Sequence, residues 1–312
     1  MVTETVAKSR FLGALVGTAV GDGLGAPFEG RAEVRAAEVE AVARRRTVLK
    51  YTDDTHMMIG VAQSLARCPG FDGADMARTF AENYQQEPWR GYGPGPPRIF
   101  GRLKAGTAWD EAARGVYPGG SYGNGAAMRV APVGLVYRDD PVRLREVAEK
   151  SALITHAHPL GREGAALQAC AVALAANLAP DTFDRAEFLA GLVAFAAAGV
   201  YREKLGRFTA LAEEPEDRER VVAGLGNGVA AADSVPAAIF AFWLKAHSFA
   251  GAVSYAVSLG GDTDTIGAMT GAIAGAGLGV AAIPAGWRDR LENRDYIEEL
   301  AGRLWAGAAA KG

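Results

Sequence analysis

The chain has 312 residues and is 49% hydrophobic, enough to bury a substantial core. A formal net charge of −3 gives no basic field for tracking a phosphate backbone, which excludes a general nucleic-acid binder and leaves small nucleotide-like ligands open. The two cysteines, Cys68 and Cys170, lack CxxC spacing, so neither a zinc ribbon nor a dithiol redox motif is present.

Residues 11–21, "FLGALVGTAVG", carry no charge and have the length of a signal-peptide core. Acidic Glu4 precedes them and Asp22 and Glu29 follow, so they read as the buried first helix of a cytoplasmic protein. The next stretch, "GDGLGAPFEG", is a glycine- and proline-rich turn suited to holding a carboxylate, Asp22 or Glu29, over a site. In "YTDDTHMMIGVAQSLA", Thr52, Asp53 and Asp54 open an apolar helical run. "RGYGPGPP" (residues 90–97) is a rigid turn or one wall of a pocket.

Residues 118–129, "PGGSYGNGAAMR", are the strongest ligand candidate by composition. Gly119, Gly120, Gly123 and Gly125 allow close backbone approach, Tyr122 and Tyr117 offer aromatic faces, and a helix beginning near Ala126 would aim its amides at an anion such as a diphosphate. Lysine is absent from the loop and no strand precedes it, so it is neither a Walker nor a dinucleotide fingerprint. Helical periodicity marks residues 75–86, 141–154, 161–179, 184–205, 237–246 and 294–309, while strand-like alternation is scarce. The expectation is a single all-α domain over residues 1–312, with roughly ten to fifteen helices.

Near the C-terminus, "LGGDTDTIGAMTGAIAGAGLGVAAIP" sets Asp262 and Asp264 ahead of a run without charge as far as Arg288. The run from Thr265 is long enough to span a bilayer, but its Gly and Ala contribute little transfer energy, so it reads as a buried central helix. Gly267, Gly271 and Gly275, like Gly13 and Gly17, fall four apart on one helical face, where another backbone can approach closely. Asp or Thr at a helix start is ordinarily a cap. Two carboxylates at each of two starts exceed what capping needs, and if the starts converge the acids repel one another until cations neutralise them. Carboxylate and hydroxyl oxygens favour Mg²⁺, Mn²⁺ or Ca²⁺ over zinc, and His56 and His158 lack a zinc-pair spacing.

Taken in order, "GALVGTAVGDGLGAPFEG", "YTDDT", "RGYG", "GSYGNGAAMRVAP", "THAHPLG", "LGNGVAAADSVPAAIF" and "SLGGDTDTIGAMTGAIAGA" resemble the ADP-ribosylglycohydrolase family over nearly the whole chain. "GSYGNGAAMR", "LGNG" and "GGDTDTI" are most similar to the branch that cleaves poly(ADP-ribose), O-acetyl-ADP-ribose and serine-linked ADP-ribose. The resemblance implies a compact orthogonal all-α bundle with two Mg²⁺ or Mn²⁺ ions held by Thr52, Asp53, Asp54, Asp262, Asp264 and Thr265. Asp53, Asp54 and Asp262 would be catalytic through those ions, and Glu29 would be a mobile ligand or acid/base group. It further implies diphosphate binding by Gly119, Gly120, Ser121, Tyr122, Gly123, Asn124 and Gly125, with His156 and Val229 against the ligand. Tyr122 matches directly, whereas Tyr117 is only approximately in register with the aromatic that precedes this loop in the related branch. The implied partners are ADP-ribose-containing small molecules and ADP-ribosylated proteins, without nucleic acid or membrane. Alternatives are an arginine-linked ADP-ribose hydrolase, a dimetal phosphohydrolase and a non-catalytic or structural relative; the last would be marked by lost ligand residues, yet each expected Thr and Asp is present.

Overall fold

A computed structural model describes residues 3–45, 47–68, 70–179 and 182–309. Among these residues there are seventeen α-helices, two 3-10 turns and no strand. The count exceeds the expected range because two helices, Phe208–Leu211 and Ala285–Arg288, are single turns of four residues. One contiguous cluster of buried apolar side chains runs from Phe11 to Leu304.

At its centre the first helix, Glu4–Gly25, lies antiparallel against the helix Thr263–Leu278. The four-residue glycine spacing in the two segments is one shared interface. A methyl group at Gly13, Gly17 or Gly21 would stand 2.2, 2.3 or 2.1 Å from the carbonyl oxygen of Gly275, Gly271 or Gly267. Real side chains never approach so closely, so only glycine permits this backbone-on-backbone contact. The first helix is long and apolar enough to cross a membrane, yet 83% of its apolar window is buried inside the fold. From Thr263 to Ala276 every residue of the central helix is buried too, which accounts for its lack of a polar face.

Three expectations are corrected. The apolar run after Thr265 is not one helix to Trp287: it stops at Leu278, where Gly279 turns the chain at φ 79° and a 3-10 turn, Val280–Ala282, follows. Periodicity at 184–205 spans two helices, Arg185–Phe195 and Gly199–Gly206, broken by an extended Ala196. No helix begins near Ala126; the Asn124 carbonyl accepts from the Ala127 and Met128 amides in one isolated turn, and the helix starts only at Ala131. Helix-terminus attraction for an anion in the glycine loop therefore has no basis in this fold.

Candidate active site

The two acidic segments, far apart in sequence, each begin a core helix, and both helix starts open on one cavity of about 320 Å³. Its wall includes Glu29, Thr52, Asp53, Asp54, Asp262, Asp264 and Thr265, together with Ser121, Gly123, Asn124, Gly125, His156 and Val229. The size is at the lower end of small-ligand pockets. Of the residues expected at the site, Gly119, Gly120 and Tyr122 are not on this wall. Gly119 and Gly120 instead form a left-handed turn backed on His158, at φ 74° and 87°. Tyr122 is 58% exposed and meets the His158 ring edge-on, and the inexactly registered Tyr117 is the tyrosine that lines the cavity.

Local chemistry explains how each group is held. Thr52 caps the Asp53–Arg67 helix, its hydroxyl accepting from the Asp54 amide at 3.3 Å. Beneath it the buried Asp22 carboxylate accepts from the Thr52 amide at 3.0 Å, the Thr55 amide at 3.1 Å and the Thr55 hydroxyl at 2.6 Å. Asp262 has a different support. Its carboxylate accepts from Asn124 Nδ2 at 2.6 Å, and its amide donates to the Asn227 carbonyl at 2.8 Å.

The preceding Gly260 and Gly261 both have left-handed φ, 71° and 73°, and a methyl on Gly261 would meet the Asn227 oxygen at 2.1 Å. The Gly261 amide and carbonyl pair with Arg31 and Gly30, which brings the turn carrying Glu29 to Asp262. Carboxylate oxygens of Glu29, Asp262 and Asp264 consequently lie within 4.8 Å of one another.

The glycine loop is fixed by backbone bonds from Asn124 N to Val229 O (2.9 Å) and from Ala231 N to Tyr122 O (3.0 Å). Gly125 makes room for His156, whose Cε1 would lie 2.7 Å from a methyl there. His156 Nδ1 is bonded to the Thr155 hydroxyl at 2.8 Å. Burial first, and the Arg129 charge second, lower its pKa to about 3, so the ring is neutral near pH 7.

The acidic cluster is electrostatically costly without counter-charge. Among the described residues none of Asp22, Glu29, Asp53, Asp54, Asp262 and Asp264 forms an ion pair with a Lys, Arg or His side chain. Burial, then the charge of Asp22, pushes Asp53 up to about 7, and burial, then Asp262, pushes Asp264 up to about 9. Burial and Asp264 raise Asp54 well above the ordinary carboxylate range, and its Oδ1 is buried without a hydrogen-bond partner. An orphaned buried carboxylate oxygen beside Asp264, Asp22, Asp53 and Asp262 fits a hard divalent cation.

Two groups escape a reading of the sequence motifs. Asp22 is noticed there only as a loop acid, yet it is fully buried beneath the Thr52 start. Arg129, read as the end of the glycine loop, is a fully buried cation against the cavity, stacked 4.6 Å from the Phe80 ring centroid and donating to the Ser151 carbonyl at 2.9 Å. A charged residue within an otherwise small and apolar stretch is the only sequence signal for either.

A family model described as ADP-ribosylglycohydrolase matches residues 3–312. The chain is 38% identical to the ADP-ribosylhydrolase ARH3 of Gallus gallus, over 95% of this chain and 92% of that protein. Identity to ARH3 of Homo sapiens is 36%, covering 95% and 93% of the two chains. The ADP-ribosyl-[dinitrogen reductase] glycohydrolase of Rhodospirillum rubrum is 29% identical, covering 93% of each. A solved structure titled ADP-ribosylglycohydrolase-related protein complex superposes with a TM-score of 0.75 at 29% identity, covering 97% of this chain and 99% of that one.

The family match and the similarity to the ARH3 hydrolases make the protein a hydrolase. The chain belongs to the ADP-ribosylglycohydrolase family.

Proposed function

We propose that the protein hydrolyses the glycosidic bond joining C1 of the distal ribose of ADP-ribose to an acceptor oxygen, as in serine-linked ADP-ribose, O-acetyl-ADP-ribose or poly(ADP-ribose). The observation that carries this reading is the meeting of two acidic helix starts and Glu29 in one cavity that is also lined by a glycine loop and a neutral histidine. Similarity to the ARH3 hydrolases over nearly the whole of both chains supports the same chemistry.

Thr52, Asp53, Asp54, Asp262, Asp264 and Thr265 would hold two Mg²⁺ or Mn²⁺ ions. When bound, such ions supply a lowered pKa for an attacking water and charge to offset the carboxylates. The amides of Ser121 and Gly125 accommodate the diphosphate, the Gly123 amide donating to the Ser121 hydroxyl at 3.3 Å, and neutral His156 contacts the sugar without repelling a developing cation. Glu29, exposed at the rim within reach of Asp262 and Asp264, moves the proton. The bond from C1 to the acceptor oxygen breaks through an oxocarbenium-like transition state, water oxygen joins C1, and one water proton ends on the acceptor. The products are ADP-ribose and a free hydroxyl or acid.

The test offers serine-, O-acetyl- and arginine-linked ADP-ribose with Mg²⁺, with Mn²⁺ and with chelator, and measures ADP-ribose released. Release from the O-linked adducts with either ion, lost in chelator, is expected. Faster release from the arginine adduct overturns the linkage, inorganic phosphate as product overturns the reaction class, and full activity in chelator overturns the metal requirement.

A further inference from the structure

We propose that Asp22 is a positioning residue which, through the first helix, sets the spacing between the two acidic helix starts. The inference rests on the binuclear reading of the site, and it concerns a residue outside the ligand set. Asp22 is fully buried and absent from the cavity wall, so it reaches neither substrate nor solvent. Both of its oxygens lie 3.0 Å from the Thr52 amide, and Oδ2 also takes the amide and hydroxyl of Thr55. One residue of the first helix therefore grips both ends of the turn that displays Asp53 and Asp54.

The same helix grips the other start. Gly21 lies on Gly267, and Gly25 lies so close on Thr263 that an added methyl would meet the Thr263 carbonyl oxygen at 2.2 Å. The Thr263 hydroxyl donates to the Gly25 carbonyl at 2.9 Å. Asp22 thus sits within the one turn, Gly21 to Gly25, that touches the Asp262–Asp264 start, and points its carboxylate at the Thr52–Thr55 start. Backbone contact on one side and four donor contacts on the other leave neither start free to shift independently.

Capping alone does not require this acid. Thr52 already caps the helix, and an additional buried anion beside Asp53 and Asp54 is costly unless its geometry matters. Groups that orient metal ligands from behind change metal affinity by roughly ten- to a hundredfold when removed.

The test uses the full-length protein, with Mn²⁺ as the probe. Asp22→Asn keeps the shape and removes the charge, while Thr55→Val removes the strongest donor and leaves the charge. Mn²⁺ affinity and stoichiometry, the electron paramagnetic signature of a coupled Mn²⁺ pair, kcat and KM, and thermal unfolding in chelator are measured for each. Both variants should lose about ten- to a hundredfold in Mn²⁺ affinity, lose or distort the coupled signal, and lower kcat with little change in KM, while remaining folded in chelator at the assay temperature even though Thr55→Val gives up a hydrogen bond to a charged group. Retained affinity and coupling in Asp22→Asn overturn the proposal. So does a change confined to Asp22→Asn with Thr55→Val normal, because charge rather than placement then accounts for it. If the unsubstituted protein binds Mn²⁺ without a coupled signal, the binuclear reading itself fails and this inference with it.

Discussion

The two acidic helix starts are alike in sequence and unlike in support. At Asp53–Arg67 the cap is Thr52, and a carboxylate from another helix takes the Thr52 and Thr55 amides. At Thr263–Leu278, Asp262 occupies the cap position without making a side-chain capping bond; its carboxylate is turned to Asn124, and its backbone is held by Asn227 after two left-handed glycines. Asp264 takes only the amide of its neighbour Thr265, and one oxygen of Asp54 takes nothing. Capping, the ordinary reason for an acid at a helix start, therefore leaves most of these carboxylate oxygens unexplained. What the two starts share is aim: both present acids into the cavity, and each relies on other residues to hold it there.

The most forceful way to break that equivalence is to neutralise one acid at each start. Asp54→Asn and Asp264→Asn should each reduce ADP-ribose release by at least about a thousandfold, since several kcal/mol of transition-state stabilisation is at stake and each 1.4 kcal/mol is tenfold. In chelator neither variant should melt earlier, because each removes a buried acid that the folded state can hold only by keeping it protonated. A large loss at one start with near-normal turnover at the other would place the chemistry on a single cluster.

A smaller effect separates the two modes of support. Asn124→Ala removes the bond that orients Asp262, and hydrogen bonds to charged groups contribute about 1.5–3 kcal/mol. Mn²⁺ affinity should fall about ten- to a hundredfold, with the helix itself retained. Titration of the variant with Mn²⁺ decides the matter. Unchanged affinity would mean that the Gly260–Gly261 turn alone orients Asp262.

Much of this arrangement is legible from residue type and spacing. The four-residue glycine repeats read correctly as a close helix contact, and the doubled acids read as more than caps. Other features are not, because they depend on tertiary placement. Periodicity ran through residues 196–198, where the chain turns extended and forms two helices. The glycine-rich loop resembled a helix start, whereas Gly125 serves to seat His156 and Gly120 to pass His158. Tyr122 matched the motif but lies on the outer side of the loop, while Tyr117 packs over Gly95 and lines the cavity. The direction in which a side chain leaves a glycine-rich loop is set by φ angles that a linear motif does not encode. Asp22 was visible as an acid, but its partners lie 30 and 33 residues away.

The smallest expected effect is a pH dependence of stability that also distinguishes the two starts. Without metal, Asp53 in the folded protein is pushed up to about 7 and Asp264 to about 9, in each case mainly by burial and then by a neighbouring carboxylate. In the unfolded chain both return to about 3.9. The folded state thus holds protons that the unfolded state has already released. Their stabilising contribution is complete below about pH 4 and is lost as pH rises, through about 7 for Asp53 and about 9 for Asp264. Buried neutral His156 works in the opposite direction below about pH 6.5, where the unfolded histidine gains a proton. The informative window is therefore above about pH 7, where Asp264, together with Asp54, which is also raised well above the ordinary range, sets the remaining slope. Melting temperature in chelator should fall across that window in the unsubstituted protein and fall less in Asp264→Asn, the difference between the two profiles cancelling other titrating groups. Excess Mn²⁺ should reverse the slope, since binding favours the deprotonated carboxylates and only the folded state assembles them. A chelator profile that is flat or rising in both proteins would show that the two starts do not repel, and with it would go the electrostatic case for a cation pair between them.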